Sequence, residues 1–228
     1  MIILLATAML CATEPASNIL PQEQVITKAD VLIEQADKIA ILEAEITNLK
    51  ASVVNLEAKQ KERGLQDIYS KILFLRPNLN KSIAKDIAKI VKKHAEEDDI
   101  DIDLVLSIIR LESYFDLKAI SSTGARGLMQ IMLPFWEEDC SINKKNMYDA
   151  ETNINCGIIA LTTYYQKYNN IYLALTAYNS GDQVVDYLLT HHRKINYGYA
   201  RVVRYYYQQL KSIQSPLATD TEKKLLGF

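Results

Sequence analysis

A glutamate that closes an apolar helix is the first candidate for chemistry in this chain. The run Ile108-Ile109-Arg110-Leu111-Glu112-Ser113 ends such a helix, and a carboxyl set among apolar neighbours loses free energy on ionisation. Held protonated, Glu112 can serve as a general acid. Taken alone, a glutamate at a helix end is more often a solvated surface residue. Gly124 and Gly127 permit a tight turn before a helix expected to open near Leu128, which would present Gln130 and Met132. Ala177-Tyr178-Asn179-Ser180-Gly181 reads as a helix end with Gly181 as its stop. The carboxyl nearest to Glu112 in sequence beyond its helix is Asp116, which is not expected to take part. His94, His191 and His192 lack metal-ligand partners at useful spacing. There is no Gly-rich phosphate loop and no nucleophile elbow, so neither a metal nor a cofactor is expected.

Four segments follow one another in a recognisable order: ES at 112–113, GLMQIM at 127–132, NINCG at 153–157 and AYNSG at 177–181. Together they resemble the lytic transglycosylase SLT domain, a family with goose-type lysozymes as more distant relatives. The resemblance covers roughly residues 81–210. It implies an α-helical, lysozyme-like fold with a cleft for peptidoglycan glycan strands. It implies that Glu112 is the catalytic acid and base, with Ser113 beside it as a substrate-binding residue. Ser121, Gln130 and Met132 would meet the substrate, and Tyr178 and Asn179 would stand close to the carboxyl. Tyr199 is the candidate for a further tyrosine facing the site, with Tyr197 as its rival. The chain departs from the family in reading AYNSGDQ where AYNAGPG is frequent, and in lacking an acidic residue shortly before Tyr199.

The resemblance also implies the reaction. Most glycosidases use two carboxyls, about 5–9.5 Å apart. This family uses one, which protonates the glycosidic oxygen and then takes a proton from the sugar's own 6-hydroxyl, leaving a 1,6-anhydro-muramic end. A muramidase in which water attacks, and a non-catalytic glycan-binding assembly component, are the alternatives.

Helices must position these residues. Seven glycines and five prolines in 228 residues are too few for a β-sandwich or barrel, so the expected class is all-α. Ile39, Leu42, Ile46, Leu49, Val53 and Leu56 recur at spacings of three and four, with Ile or Val at a and Leu at d. That pattern favours a parallel two-stranded coil. Lys38 would face Glu43 of a second copy, and Glu45 would face Lys50. The predicted partner is therefore a parallel homodimer through residues 32–60, with an amphipathic helix packed on its own domain as the alternative. Asp99, Asp101 and Asp103 alternate like the start of a calcium loop. However, Leu104 stands where glycine is needed and Arg110 where the bidentate glutamate belongs, so these aspartates read as a solvated helix cap.

The remaining features bound the setting. The net charge is -2, and from Gly64 onward 20 Lys/Arg stand against 19 Asp/Glu, which gives no electrostatic footprint for nucleic acid. Met1 to Ala12 is apolar but shorter than the roughly 20 residues that span a bilayer. It resembles the core of an export signal, although no basic residue precedes it. A frayed apolar tail is the alternative. Export to the periplasm or cell envelope is expected, or action on the wall by a phage-encoded protein, with membrane contact only through this segment if it is uncleaved. Cys140 and Cys156 would then form a disulfide, or else remain small core residues. The expected organisation is a targeting or anchor segment at 1–20, a coiled-coil helix at 22–63 and a hinge or docking segment at 64–80. An SLT-like catalytic domain follows at 81–212 and a tail at 213–228.

Overall fold

The computed structural model describes residues 28–213. The segment at 1–20, Cys11 and the tail from residue 214 lie outside the described residues. Among the described residues there are eight α-helices and no strand, only two isolated β-bridges. The helices are α1 (Lys28–Leu75), α2 (Lys81–Glu97), α3 (Ile102–Glu112), α4 (Leu133–Cys140), α5 (Ala150–Tyr168), α6 (Ile171–Ser180), α7 (Asp182–Thr190) and α8 (Gly198–Ser212). The chain divides into two compact units that part between Asn55 and Leu56.

In the first unit the described residues are the opening part of α1. Its heptad positions carry no cover: Ile39, Leu42, Ile46, Leu49 and Val53 are each 49–65% exposed. Lys38 meets Glu34 one turn back at 2.7 Å, an exposed pair on the same helix that contributes little to stability.

In the second unit α1 continues across Gly64 to Leu75. Ile68, Ile72 and Leu75 are buried and join one apolar cluster with residues of α2, α3, α5, α6 and α8. The segment at 64–75 is thus helical and packed, and the chain turns only after it, through Pro77 to Asn80. Short polar residues then start four of the helices by accepting free N–H groups of the first turn. Asn80 accepts from Ser82 and Ile83, Asp101 from Asp103, Asp149 from Thr152, and Asn170 from Tyr172 and Leu173.

Asp103 departs from the solvated cap read in the sequence. Its side chain is only 2% exposed and pairs with Lys71 of α1 at 2.9 Å and Lys211 of α8 at 3.1 Å. Asp101, which does cap α3, also accepts from the Tyr207 hydroxyl at 2.9 Å and pairs with Lys211 at 3.0 Å. Sequence spacing does not show which helices will close over an aspartate, so the burial was not legible. The network ties the start of α3 to the end of α8 and to α1. Since the far ends of α3 and α8 meet at Glu112 and Tyr199, the two helices pack antiparallel and are bonded at both ends.

The expected helix at Leu128 is absent. Residues 120–132 form a tight loop with bridges from Ile120 to Arg126 and from Arg126 to Ile131, and the next helix opens only at Leu133. Gly124, Gly127 and Gln130 all take positive φ, at 99°, 78° and 51°, which a helix cannot accommodate.

Candidate active site

Glu112 occupies the last turn of α3, and burial pushes its carboxyl above the ordinary glutamate range. Its partner is Tyr199 in the first turn of α8, whose hydroxyl donates to Glu112 Oε1 at 2.5 Å and opposes part of that rise. Tyr178, near the end of α6, donates to the Met129 carbonyl at 2.7 Å. Burial, then the nearby Glu112 charge, pushes both tyrosine hydroxyls well above their ordinary value. Both stay protonated and act as fixed donors. Tyr197 stacks edge-on against Tyr172 at 5.8 Å, leaving Tyr199 as the tyrosine that reaches the carboxyl.

The backbone just after Glu112 is strained. Tyr114 and Phe115 take φ of 54° and 60°, a conformation that costs about 1 kcal/mol or more per residue outside glycine. Surrounding contacts hold it there. Phe115 is buried. Arg76 donates to the Tyr114 carbonyl at 2.7 Å. The Arg110 guanidinium lies 4.1 Å from the Tyr114 ring centre. The chain segment that follows α1 therefore helps to fix the turn beside the glutamate.

The loop at 120–132 is fixed from α5. Asn153 accepts from Met129 N–H at 2.8 Å and donates to the carbonyls of Arg126 and Met147 at 2.9 Å each. Gly127 and Gly157 let these surfaces approach. A side chain at Gly127 would lie 2.4 Å from Asn153, and one at Gly157 would lie 2.4 Å from the Met129 sulfur. The sequence alone gives Asn153 and Gly157 of NINCG no role, and the structure shows both as supports of the loop. Gln130 donates to the carbonyls of Ala119 and Gly127.

A cavity of about 310 Å³ adjoins this cluster, lined in part by Gln130, Met132, Tyr178 and Asn179. Tyr178 thus belongs both to the cavity wall and to the surroundings of Glu112. Ser113 and Ser121 are placed differently. The Ser113 hydroxyl is buried and donates to the Ile109 carbonyl, one turn back in α3. The Ser121 hydroxyl accepts from Ala125 N–H at 2.9 Å and lies 2.9 Å from the Thr123 hydroxyl, which stabilises the turn. Asp116 is exposed and accepts from Lys118 N–H. Missed in the sequence were Phe135 and Trp136, which line the cavity immediately beyond GLMQIM; their position next to that motif was the available signal. Cys140 and Cys156 are joined as a disulfide that ties α4 to α5.

Residues 89–195 match the family described as Transglycosylase SLT domain. Among curated relatives, membrane-bound lytic murein transglycosylase C of Edwardsiella ictaluri is 30% identical, over 54% of this chain and 38% of the relative. The protein of the same name in Salmonella arizonae is 32% identical, over 54% of this chain and 39% of the relative. The chain therefore spans about two fifths of the length of these relatives. Among solved structures, the 70 kDa soluble lytic transglycosylase from Escherichia coli aligns with a TM-score of 0.50 at 23% identity, covering 66% of this chain and 29% of that one. A complex of the 70 kDa soluble lytic transglycosylase with bulgecin A aligns with a TM-score of 0.50 at 24% identity, covering 70% and 32%. These two likenesses show the helical fold.

Proposed function

We propose that this chain, whose residues 89–195 match the transglycosylase SLT domain family, cleaves murein glycan as a lytic transglycosylase. The observation that carries the reading is the setting of Glu112. It is a largely buried carboxyl bonded to one tyrosine hydroxyl, Tyr199, while Asp116, the carboxylate nearest in sequence beyond its helix, is exposed and accepts from Lys118 N–H instead of serving as a partner. A two-carboxyl hydrolase needs such a partner close by.

The proposed reaction uses Glu112 twice. Protonated Glu112 gives its proton to the glycosidic oxygen between N-acetylmuramic acid and N-acetylglucosamine. The bond from that oxygen to the muramoyl C1 breaks, and the glucosamine unit leaves with a free 4-hydroxyl. The Glu112 carboxylate then takes the proton of the muramoyl 6-hydroxyl while that oxygen bonds to C1. The ring closes as a 1,6-anhydro end, the acid is restored, and no water enters. Tyr199 steadies the carboxylate between the two steps, because its hydrogen bond favours the charged form. Gln130, Met132, Tyr178 and Asn179 line the groove in which the strand is proposed to lie.

The setting follows from the substrate. Murein lies in the cell envelope, and the Cys140–Cys156 disulfide supports an oxidising compartment. No helix among the described residues is long and apolar enough to cross a membrane. The uncovered heptad face of α1 supports a parallel homodimer. Mass spectrometry of murein digested by the purified protein tests the activity. Anhydro-muramic ends are expected; reducing ends would assign a muramidase instead, and undegraded murein would remove the enzymatic reading.

A further inference from the structure

The groove beside Tyr178 has one wall whose construction points to a ligand. That wall is α4, a helix of eight residues without a single fully buried side chain. It is held by its attachments. Pro134 sits in its first turn, where a fixed φ suits the helix and the missing N–H is no loss. Trp136 turns its ring edge-on to Tyr164 of α5, with centres 5.6 Å apart. Cys140 at the helix end is bonded to Cys156 of α5. Phe135, between these anchors, takes no part in the apolar core. Its side chain lines the groove and is 67% exposed.

Phenylalanine has no polar tip, so an exposed ring on a fixed wall offers only its apolar face. The rest of the groove has a complementary character. Val184 on α7, 46% exposed, adds a second apolar surface, and the amide side chains of Gln130, Asn179 and Gln183 line the same space. An N-acetylated pyranose has this division of character. Its C–H faces are apolar, while its hydroxyl and acetamido edges both donate and accept hydrogen bonds. The ring of Phe135 can cover a C–H face while the amides meet the edges.

We propose that Phe135 is a sugar-stacking residue that forms a binding subsite for one N-acetylated hexosamine of the glycan strand. The inference rests on the glycan reading above and adds a residue and a contact to it. Glu112 does not itself line the groove. Phe135 therefore acts on the hold upon the strand, not on proton transfer.

Calorimetric titration of the full chain with peptide-free murein glycan strands tests this, using Glu112→Gln protein so that strands stay intact. Phe135→Ala should weaken strand binding by about tenfold, the effect of one lost stacking contact. Phe135→Tyr should bind within about twofold of the parent, because its face is retained. Phe135→Leu, apolar but without a flat face, should fall between them. With Glu112 intact, Phe135→Ala should raise KM while leaving kcat at saturating glycan unchanged. Thermal midpoints should match, since the ring is exposed; if the Ala variant does not fold, the order of the Tyr and Leu variants decides. Equal binding by all variants, or a fall in kcat without a rise in KM, would overturn the stacking role and leave the glycan reading standing. Failure of the unsubstituted protein to bind any glycan would overturn both.

Discussion

Tyr199 donates its hydroxyl proton to Glu112 Oε1 at 2.5 Å, joining the first turn of α8 to the last turn of α3. Two influences meet at that carboxyl. Burial favours the neutral acid, whereas the hydrogen bond favours the carboxylate, and burial is the larger. In the proposed mechanism one group gives and then retakes a proton; burial helps it to hold that proton, and the hydrogen bond helps it to bear the charge.

Removal of the hydroxyl should tip the balance in a known direction. In Tyr199→Phe the lowering influence disappears, so Glu112 holds its proton to higher pH. The alkaline limb of kcat/KM, where the general acid is lost, should move upward in pH. Maximal kcat/KM should fall by about tenfold, the usual worth of one hydrogen bond to a charged group. Initial rates of anhydromuropeptide release across a pH series measure both. An alkaline limb that stays in place or moves down would contradict the assigned coupling.

Replacing the carboxyl should separate catalysis from folding. Glu112→Gln keeps the shape but cannot donate to the leaving oxygen or accept from the 6-hydroxyl. A positioned acid or base contributes about 10²–10⁴ in rate, and one group here does both jobs, so the loss should reach the upper part of that range. Stability should change the other way. Because the folded-state value of Glu112 is raised, its contribution is complete below the ordinary glutamate value and is lost as pH rises through the raised one. The amide does not ionise. Above that window, thermal melts of Glu112→Gln should therefore match or exceed those of the parent. Turnover equal to the parent would remove Glu112 from the mechanism.

The helical class was legible because it rests on period and composition, which sequence states directly. Glu112 was legible as a candidate because its apolar run precedes it. The loop at 127–132 was misread as a helix. Its apolar residues recur at helical spacing, whereas Gln130 takes positive φ and the loop is bonded to Asn153 through Met129 N–H and to Ala119 through the Gln130 amide, contacts that spacing does not show. Asp103 was misread for the same reason, since Lys71 and Lys211 reach it from helices 32 and 108 residues away in sequence. Tyr199 and Tyr197 could not be told apart, because only the angle at which α8 meets α3 decides which ring faces the carboxyl.

The disulfide should matter more for the groove wall than for the proton carrier. Cys140–Cys156 closes a loop with a sequence separation of 16, worth about 3 kcal/mol in the chain-entropy account. Cys140→Ser combined with Cys156→Ser should lower the thermal midpoint, and reductant should lower that of the parent alone. Since α4 has no buried side chain of its own, glycan binding should weaken in the double variant, while the pH profile set by Glu112 and Tyr199 stays in place. Identical melts with and without reductant would show that the bridge contributes nothing.

The α1 seam should make the protein dimeric. Five seam residues from Ile39 to Val53 leave about half or more of their surface in water, an apolar stripe of the kind that marks an interaction face. The order of Ile or Val at a and Leu at d selects two parallel strands. In that register Lys38 would lie against Glu43 of the second copy and Glu45 against Lys50, so both flanking pairs would attract. Light scattering of the full chain should give twice the 25.9 kDa chain mass. Leu42→Asp with Leu49→Asp places two charges in the seam and should yield a monomer. Murein cleavage per chain by that variant should be unchanged, because Glu112, Tyr178 and Tyr199 all lie in the second unit. A parent protein that is monomeric at tens of micromolar would rule out the dimer, and a double variant that remains dimeric would place the interface elsewhere.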